Sequence, residues 1–472
     1  MTASAPPELV VAVDPAVRVL DSGRTLVGGA PLRVLRLSEV GAGAICDWRV
    51  ASPVGQWPAR RALARRLLDA GVLAPHPVPA APASAVTVVV PVRDRPAELA
   101  RCLEAVRGSC PEAPVVVVDD GSRDRAAVRS VCTEQGAAVI RHALPRGPAA
   151  ARNSGLAASS TPYVAFVDSD VVLPSSWAAA LLGHFTDPNV GAVAPRVRAL
   201  PPSRGRIGEY EERHSALDMG PDRGLVAPGL SIPYVPSTAL VVRRSALGAG
   251  FDESLHIGED VDLVWRLSAA GWRVRYEPDV HVWHDHRVRL RAFVARRRLY
   301  ARSVGLLAHR HPGALPATRL SGWMALTWAL ALAGHRRAAL GTASAQTLLV
   351  GRKLRPFTGR PNRLAGALVA RGLFATGLAL TQAVRRAWAP PLCVLGLSSP
   401  AVRRVLVAAF AARIAQDAFA TREPSAVLGD AAIRLLDEAI ALAGTWEGCL
   451  QQRTIRPLLP SLSTGPRRHG ET

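Results

Sequence analysis

Two carboxylates one residue apart, Asp168 and Asp170, close an apolar run at residues 163–167. Side chains at i and i+2 of an extended segment point to the same side, so each acid disfavours ionisation of the other. A divalent cation relieves that repulsion. Mg2+ and Mn2+ take one or two carboxylates plus phosphate oxygens, which makes the pair a candidate holder of a metal-bound diphosphate. Further on, Glu259, Asp260 and Asp262 open a stretch with helical periodicity through Val261, Leu263, Val264 and Leu267. A carboxylate held there by helix and pocket could take a proton from an attacking hydroxyl, while the helix dipole by itself also favours acids at that end. Asp119-Asp120-Gly121-Ser122 reads either as acceptors for a base or ribose or as a tight turn with a helix cap. Arg152 suits a phosphate or a neighbouring acid. Residues 280–286 carry His281, His284 and His286, imidazoles available as a further metal ligand.

The elements that must position these groups follow from local pattern. Residues 86–90, 114–118, 138–140 and 163–167 are short apolar, largely β-branched runs, as buried parallel strands require. A helix is expected from about residue 97 to 107, and a further strand over 232–242. Alternating strands and helices imply parallel crossovers that gather the strand exits, and with them the acids, at one edge of the sheet.

Upstream, residues 17–20 and 24–27 flank Asp21-Ser22-Gly23 as a hairpin, and Leu63, Leu67 and Leu68 recur at helical spacing before Gly71. The Pro/Ala-rich stretch 74–84 reads as an extended linker. Downstream of residue 301 the chain is apolar and helical. The runs 320–334, 372–384 and 387–402 are free of charged side chains, yet each is shorter than the ~20 residues of a spanning helix, which favours interfacial or re-entrant helices over full spans. Residues 460–472 read as disordered. Three regions are therefore expected, 1–78, 79–300 and 301–472.

Composition excludes several classes. The net charge of +21 is carried almost wholly by arginine, Lys353 being the only lysine, and no basic block with interleaved aromatics accompanies it, so nucleic acid is not the expected partner. A membrane surface or an anionic substrate remains compatible. Six scattered cysteines without a C-x-x-C spacing read as thiols of a reducing compartment, and the N-terminus has no signal-like apolar core. The catalytic part is placed on the cytoplasmic side of the cell membrane.

The ordered set formed by residues 86–91, Asp119-Asp120-Gly121-Ser122, Arg152-Asn153-x-Gly155, Asp168-Ser169-Asp170, residues 250–253 and Glu259-Asp260-x-Asp262-Leu263 resembles the signature of family 2 glycosyltransferases over about residues 85–300. The resemblance implies an α/β GT-A nucleotide-diphospho-sugar transferase domain acting with inversion on a UDP-sugar donor. By position, Pro91, Arg93 and Asp119 would line the uracil pocket with Asp120 beside them, and Arg152 and Asp168 would hold the nucleotide. Asp170 would bind Mg2+ or Mn2+ with His284 as a second protein ligand. Asp260 would be the base, with Glu259 next to it. Arg297 lies where processive members carry a diphosphate-binding motif, which is not intact here. Residues 26–37 and 67–73 resemble small winged-helix-like (PqqD-like) peptide-recognition modules. That module, the core, the apolar tail and the matches at 28–37, 300–305 and 307–312 together resemble the mycofactocin-system branch of the family. This branch implies a peptide-derived small-molecule acceptor, premycofactocin, extended by β-1,4-linked glucose.

Overall fold

The computed structural model describes residues 4–78, 81–202, 205–420 and 424–463. The chain divides into two compact units, Met1–Val288 and Arg289–Thr472. The first unit opens with strands β1 (Val10–Val13), β2 (Arg18–Leu20), β3 (Thr25–Gly28) and β4 (Arg33–Arg36), helix α1 (Glu39–Asp47), strand β5 (Ser52–Pro53), helix α2 (Pro58–Asp69) and strand β6 (Leu73–Pro75). The expected hairpin is present, extended by β4 into the sheet β2-β3-β4, while β5-β1-β6 form a second sheet. Trp48, Ile45, Leu67 and Leu68 fill the space within the module. Its helix α2 is tied to the rest of the unit by charge. Arg65 donates to both carboxylate oxygens of Asp187 at 3.0 and 2.6 Å, and Arg273 donates to Asp69 at 2.9 Å. Both Arg65 and Asp187 are buried, and a bidentate pair of this kind fixes orientation as well as charge.

The core follows as β7 (Val86–Val92), α3 (Pro96–Ser109), β8 (Val115–Asp119), α4 (Arg125–Glu134), β9 (Ala138–Arg141), α5 (Pro148–Ala157), β10 (Tyr163–Val167), β11 (Val171–Val172), α6 (Trp177–Leu182), β12 (Val190–Ala199), α7 (Gly205–His214), β13 (Gly224–Val226), β14 (Ala239–Arg243), α8 (Glu259–Ala269) and β15 (Arg273–His284). They build a nine-stranded sheet in the order β11-β15-β12-β14-β10-β7-β8-β9, with β13 on β15. Alternation in β7 explains its two-sided burial. Val86, Val88, Val90 and Val92 pack with Leu99, Cys102, Leu103 and Val106 of α3, spaced three and four apart as one helix face. Val89 faces α5, where a Cβ on Gly155 would come within 2.2 Å of it, so the helix carrying Arg152 can approach only because that residue is glycine.

Two expectations about the sheet change. β14 runs antiparallel to both β10 and β12, so the sheet is mixed rather than wholly parallel. The strand expected over 232–242 begins only at Ala239, because Pro233 and Pro236 cannot donate to a ladder. The order remains that of a doubly wound sheet at its centre: from β7 the chain moves through β8 to β9 on one side and returns to β10 on the other. The point where direction reverses, between the exits of β7 and β10, is where such sheets hold ligands.

The second unit contains α9 (Leu290–Arg310), β16 (Thr318–Ser321), α10 (Gly322–Leu332), α11 (Arg336–Leu354), α12 (Pro361–Ala383), α13 (Ala389–Gly396), α14 (Pro400–Ala420), α15 (Pro424–Gln451) and β17 (Pro460–Ser463). Residue 300, the expected end of the catalytic region, falls inside α9. α9 and α15 pack closely through small residues: a Cβ on Gly305 would lie 2.2 Å from the Gly448 carbonyl oxygen. Residues 460–463, expected to be disordered, form a strand parallel to β16, and 464–472 lie outside the described residues. Among the described residues one helix, Pro361–Gly396, is long and apolar enough to cross a membrane, and 22% of its most apolar window is buried. By sequence pattern Arg371 and Arg385 bound the middle apolar run, and Pro390 and Pro391 interrupt the last. A π-helical turn carries the chain past Arg385, and the prolines sit in the first turn of α13, where a missing N–H costs little.

Candidate active site

The loops after β7, β8 and β10 and the start of α8 meet at one edge through a continuous set of polar contacts. Asp119, at the end of β8, accepts from its own loop at Ser122 N (2.8 Å) and pairs with Arg141 of β9. The Ser122 hydroxyl accepts from Asp94 N at 2.9 Å, and Asp94 accepts from Arg123 N at 2.7 Å, which ties the β7 and β8 loops together. Pro91 stands opposite Val118 in the β7–β8 ladder, and Arg93 is largely exposed. Next along this loop, Arg95 pairs with Asp170 at the exit of β10.

Asp120 is used differently. It accepts from the backbone N–H of Arg146 (2.8 Å) and Gly147 (2.9 Å) and from His142 Nδ1 (2.7 Å), so its oxygens shape the loop that starts α5. Burial would raise its pKa, but the bonds from Arg146, His142 and Gly147 outweigh burial and hold it below the ordinary carboxylate value. In turn His142 Nε2 meets the Ser154 hydroxyl at 2.9 Å on α5.

Arg152 is the central cation. Buried over the face of Phe251, it donates to Asp168 at 2.7 Å and to Glu259 at 2.8 Å, linking the exit of β10 to the start of α8. Burial disfavours its charge, but Asp168 and Glu259 more than offset this, so the guanidinium stays protonated. Phe251 itself is set by Asn153, whose side chain donates to Phe251 O (2.8 Å) and accepts from Phe251 N (2.8 Å). Gly250, at φ +75°, is required there because a Cβ would lie 2.4 Å from the Asn153 oxygen.

Asp260 lies at the start of α8, beyond Gly258 in the left-handed conformation. It accepts from Val261 N at 2.8 Å and weakly from Ser237 N at 3.4 Å. Among the described residues no arginine pairs with it, because Arg152 divides its two Nη groups between Asp168 and Glu259. Burial, then the neighbouring Glu259 charge, push its pKa up to about 7, against the opposing pull of Arg152 and the two N–H groups. A carboxylate poised there matches the protonation equilibrium a general base needs near neutral pH.

At the other end of the cluster, Asp170 Oδ1 is 3.3 Å from His284 Nε2, and His284 is buried with its Nδ1 unpartnered. Adjacent octahedral ligands at ~2.1 Å from a cation stand ~3 Å apart, so the two side chains fit neighbouring coordination positions of Mg2+ or Mn2+. Among the described residues no group of three or more His, Cys, Asp or Glu side chains is arranged to hold a metal. A cation held by two such donors would leave its other positions to water or phosphate oxygens. His281 and His284 lie within β15, not beyond it, and the short β11–β15 ladder pairs Val171 with His284, which is what brings that ring to Asp170. Beneath both acids, the buried Cys102 thiol contacts Asp168 O at 3.6 Å; burial, then Asp170 and Asp168, push its pKa up and keep it a thiol.

Arg297 belongs to the second unit, where its guanidinium is 3.4 Å from Asp437 and lies over Phe293. Sequence spacing missed Arg95, Arg141 and His142. Arg95 did leave a sign: it occupies the cap position before Pro96, where an oxygen-bearing side chain is preferred and arginine caps nothing.

Residues 87–251 match the family model described as glycosyl transferase family 2. The chain is 39% identical over 489 aligned residues to a pre-mycofactocin glycosyltransferase of Mycobacterium tuberculosis, covering 98% of this chain and 100% of the relative. A succinoglycan biosynthesis protein of Rhizobium meliloti is 28% identical over 40% of this chain and 58% of its own length. Among solved structures, a mannosyltransferase from Pyrobaculum calidifontis in complex with GDP-Man and Mn2+ aligns at 19% identity with a TM-score of 0.45, covering 80% of this chain and 90% of that one.

Proposed function

Since the chain belongs to glycosyltransferase family 2, we propose that it is a metal-dependent, inverting hexosyltransferase that moves glucose from UDP-glucose onto premycofactocin, a peptide-derived redox cofactor, and builds a short β-1,4-glucan. The observation that carries the acceptor reading is the 39% identity along the full length of a pre-mycofactocin glycosyltransferase, which includes the N-terminal module and the apolar tail as well as the shared core.

The site supports the transfer step. Arg152 holds Asp168 and Glu259 in fixed relation, and so sets the diphosphate end and the base end of the pocket in one frame. Asp260 takes the proton of the acceptor hydroxyl on the face of the sugar opposite the leaving diphosphate, and a single displacement from an α-linked donor gives a β-linked product. Pro91, Arg93 and Asp119 border the base and ribose. Asp170 and His284 would hold the cation, which when bound neutralises charge developing on the departing UDP. The N-terminal module is proposed to recognise the acceptor, and the catalytic site to face the cytoplasm at the membrane.

The test is direct. Incubation with UDP-glucose, Mn2+ and premycofactocin should add mass in steps of one hexose, with UDP released in equal amount. A second reading, transfer to a lipid or cell-envelope glycan, is favoured by the apolar helix Pro361–Gly396. Hexose addition to a polyprenyl or glycolipid acceptor, with premycofactocin unmodified, would replace the first reading by this one.

A further inference from the structure

At the switch point of the sheet, the loop after β7 ends in Arg95 and the loop after β10 ends in Asp170. Arg95 Nη1 pairs with Asp170 Oδ2, and Asp170 Oδ1 faces His284 at 3.3 Å. Both oxygens of the proposed cation ligand are thus already engaged by the protein's own groups. The Arg95 side chain is only 18% exposed, so this pair is partly shielded from water. Its loop is anchored by Asp94 through Ser122 and Arg123. A guanidinium cannot give up its charge. A divalent cation arriving alone at Asp170 therefore meets a fixed positive charge, and one that displaces Arg95 leaves it without a partner.

We propose that Arg95 is a diphosphate-binding residue that couples cation binding to nucleotide binding. Without nucleotide it serves as the counter-charge of Asp170. When a nucleoside diphosphate and a divalent cation enter together, the cation takes Asp170 and the guanidinium turns to the diphosphate oxygens, whose geometry its fork matches. Either ligand alone leaves one charge unmatched, and the pair leaves none. Coupling of this kind is reciprocal, so UDP strengthens Mn2+ binding by the factor with which Mn2+ strengthens UDP binding. The inference rests on the placement of the cation at Asp170 made above.

Free Mn2+ measured by electron paramagnetic resonance, with and without UDP, and UDP binding measured by calorimetry, with and without Mn2+, test it on the full-length protein. In Arg95→Gln, Mn2+ alone should bind about 10-fold tighter than in the wild type and UDP alone several-fold weaker, so the coupling factor shrinks by about 10-fold or more. What remains is the coupling from phosphate oxygens that touch the cation directly. Arg95→Lys, which keeps the charge but not the fork, should fall between the two. Unchanged or weaker Mn2+ binding without UDP in Arg95→Gln, at an unaltered unfolding temperature, overturns the proposal. Asp170→Ala separates the two levels: if it leaves Mn2+ binding intact, the cation placement itself fails. If it abolishes Mn2+ binding while Arg95→Gln leaves the coupling as in the wild type, only the role of Arg95 fails.

Discussion

Asp120 and Asp260 stand at the same edge of the sheet and meet opposite fates. Around Asp120 the loop supplies two backbone N–H donors and an imidazole, all within 2.9 Å, and its pKa falls. Around Asp260 one N–H lies close, the other is at 3.4 Å, and the adjacent Glu259 keeps the nearest arginine. Its pKa rises to about 7. Burial raises the pKa of both, so burial alone does not set their difference. The supply of donors decides. An acid that accepts three hydrogen bonds on its two oxygens builds a loop, and one left beside a like charge stays ready to accept a proton.

The comparison breaks most visibly at Asp260. Replacing it with Asn should lower kcat by a factor of about 100 to 10,000, the usual share of general-base catalysis, while UDP affinity measured by calorimetry stays within a few fold. Full activity would remove the base assignment. At Asp120 the expected effect is on folding. Asp120→Ala strands Arg146 N, Gly147 N and His142 at once, and should cost about 3 kcal/mol, read as a lowered midpoint of urea unfolding. A smaller change sharpens the contrast. The rate should rise with pH through about 7 as Asp260 loses its proton. Glu259→Gln removes the like charge beside Asp260 while Arg152 keeps its pull, and so should move that acidic limb downward by about one pH unit in a kcat/KM profile. A limb that stays in place would mean that Glu259 does not tune the base.

Much of the arrangement was legible along the chain because it depends on local rules. The β-branched run of β7, the apolar face of α3 and the glycine at 155 each follow from the neighbours they must pack against. The acid pairs after β10 and at the start of α8 could be located from their positions at element ends. Elements that depend on distant partners were less legible. Nothing in residues 239–243 says that β14 runs antiparallel between β10 and β12, since β-branched residues suit either direction. Arg297 and Arg95 are both arginines near a motif, yet one contacts Asp437 and the other Asp170. Only their surroundings distinguish them.

Local chemistry therefore determined which residues of this protein could act: acids at strand exits and at a helix start, an arginine between them, and glycines where backbones approach. Tertiary structure decided which of those acids are spent on the scaffold. The reason is that a carboxylate's state depends on donors and charges contributed by elements far along the chain, as Arg152 and Glu259, 107 residues apart, show, and no spacing along the chain records how those donors are shared.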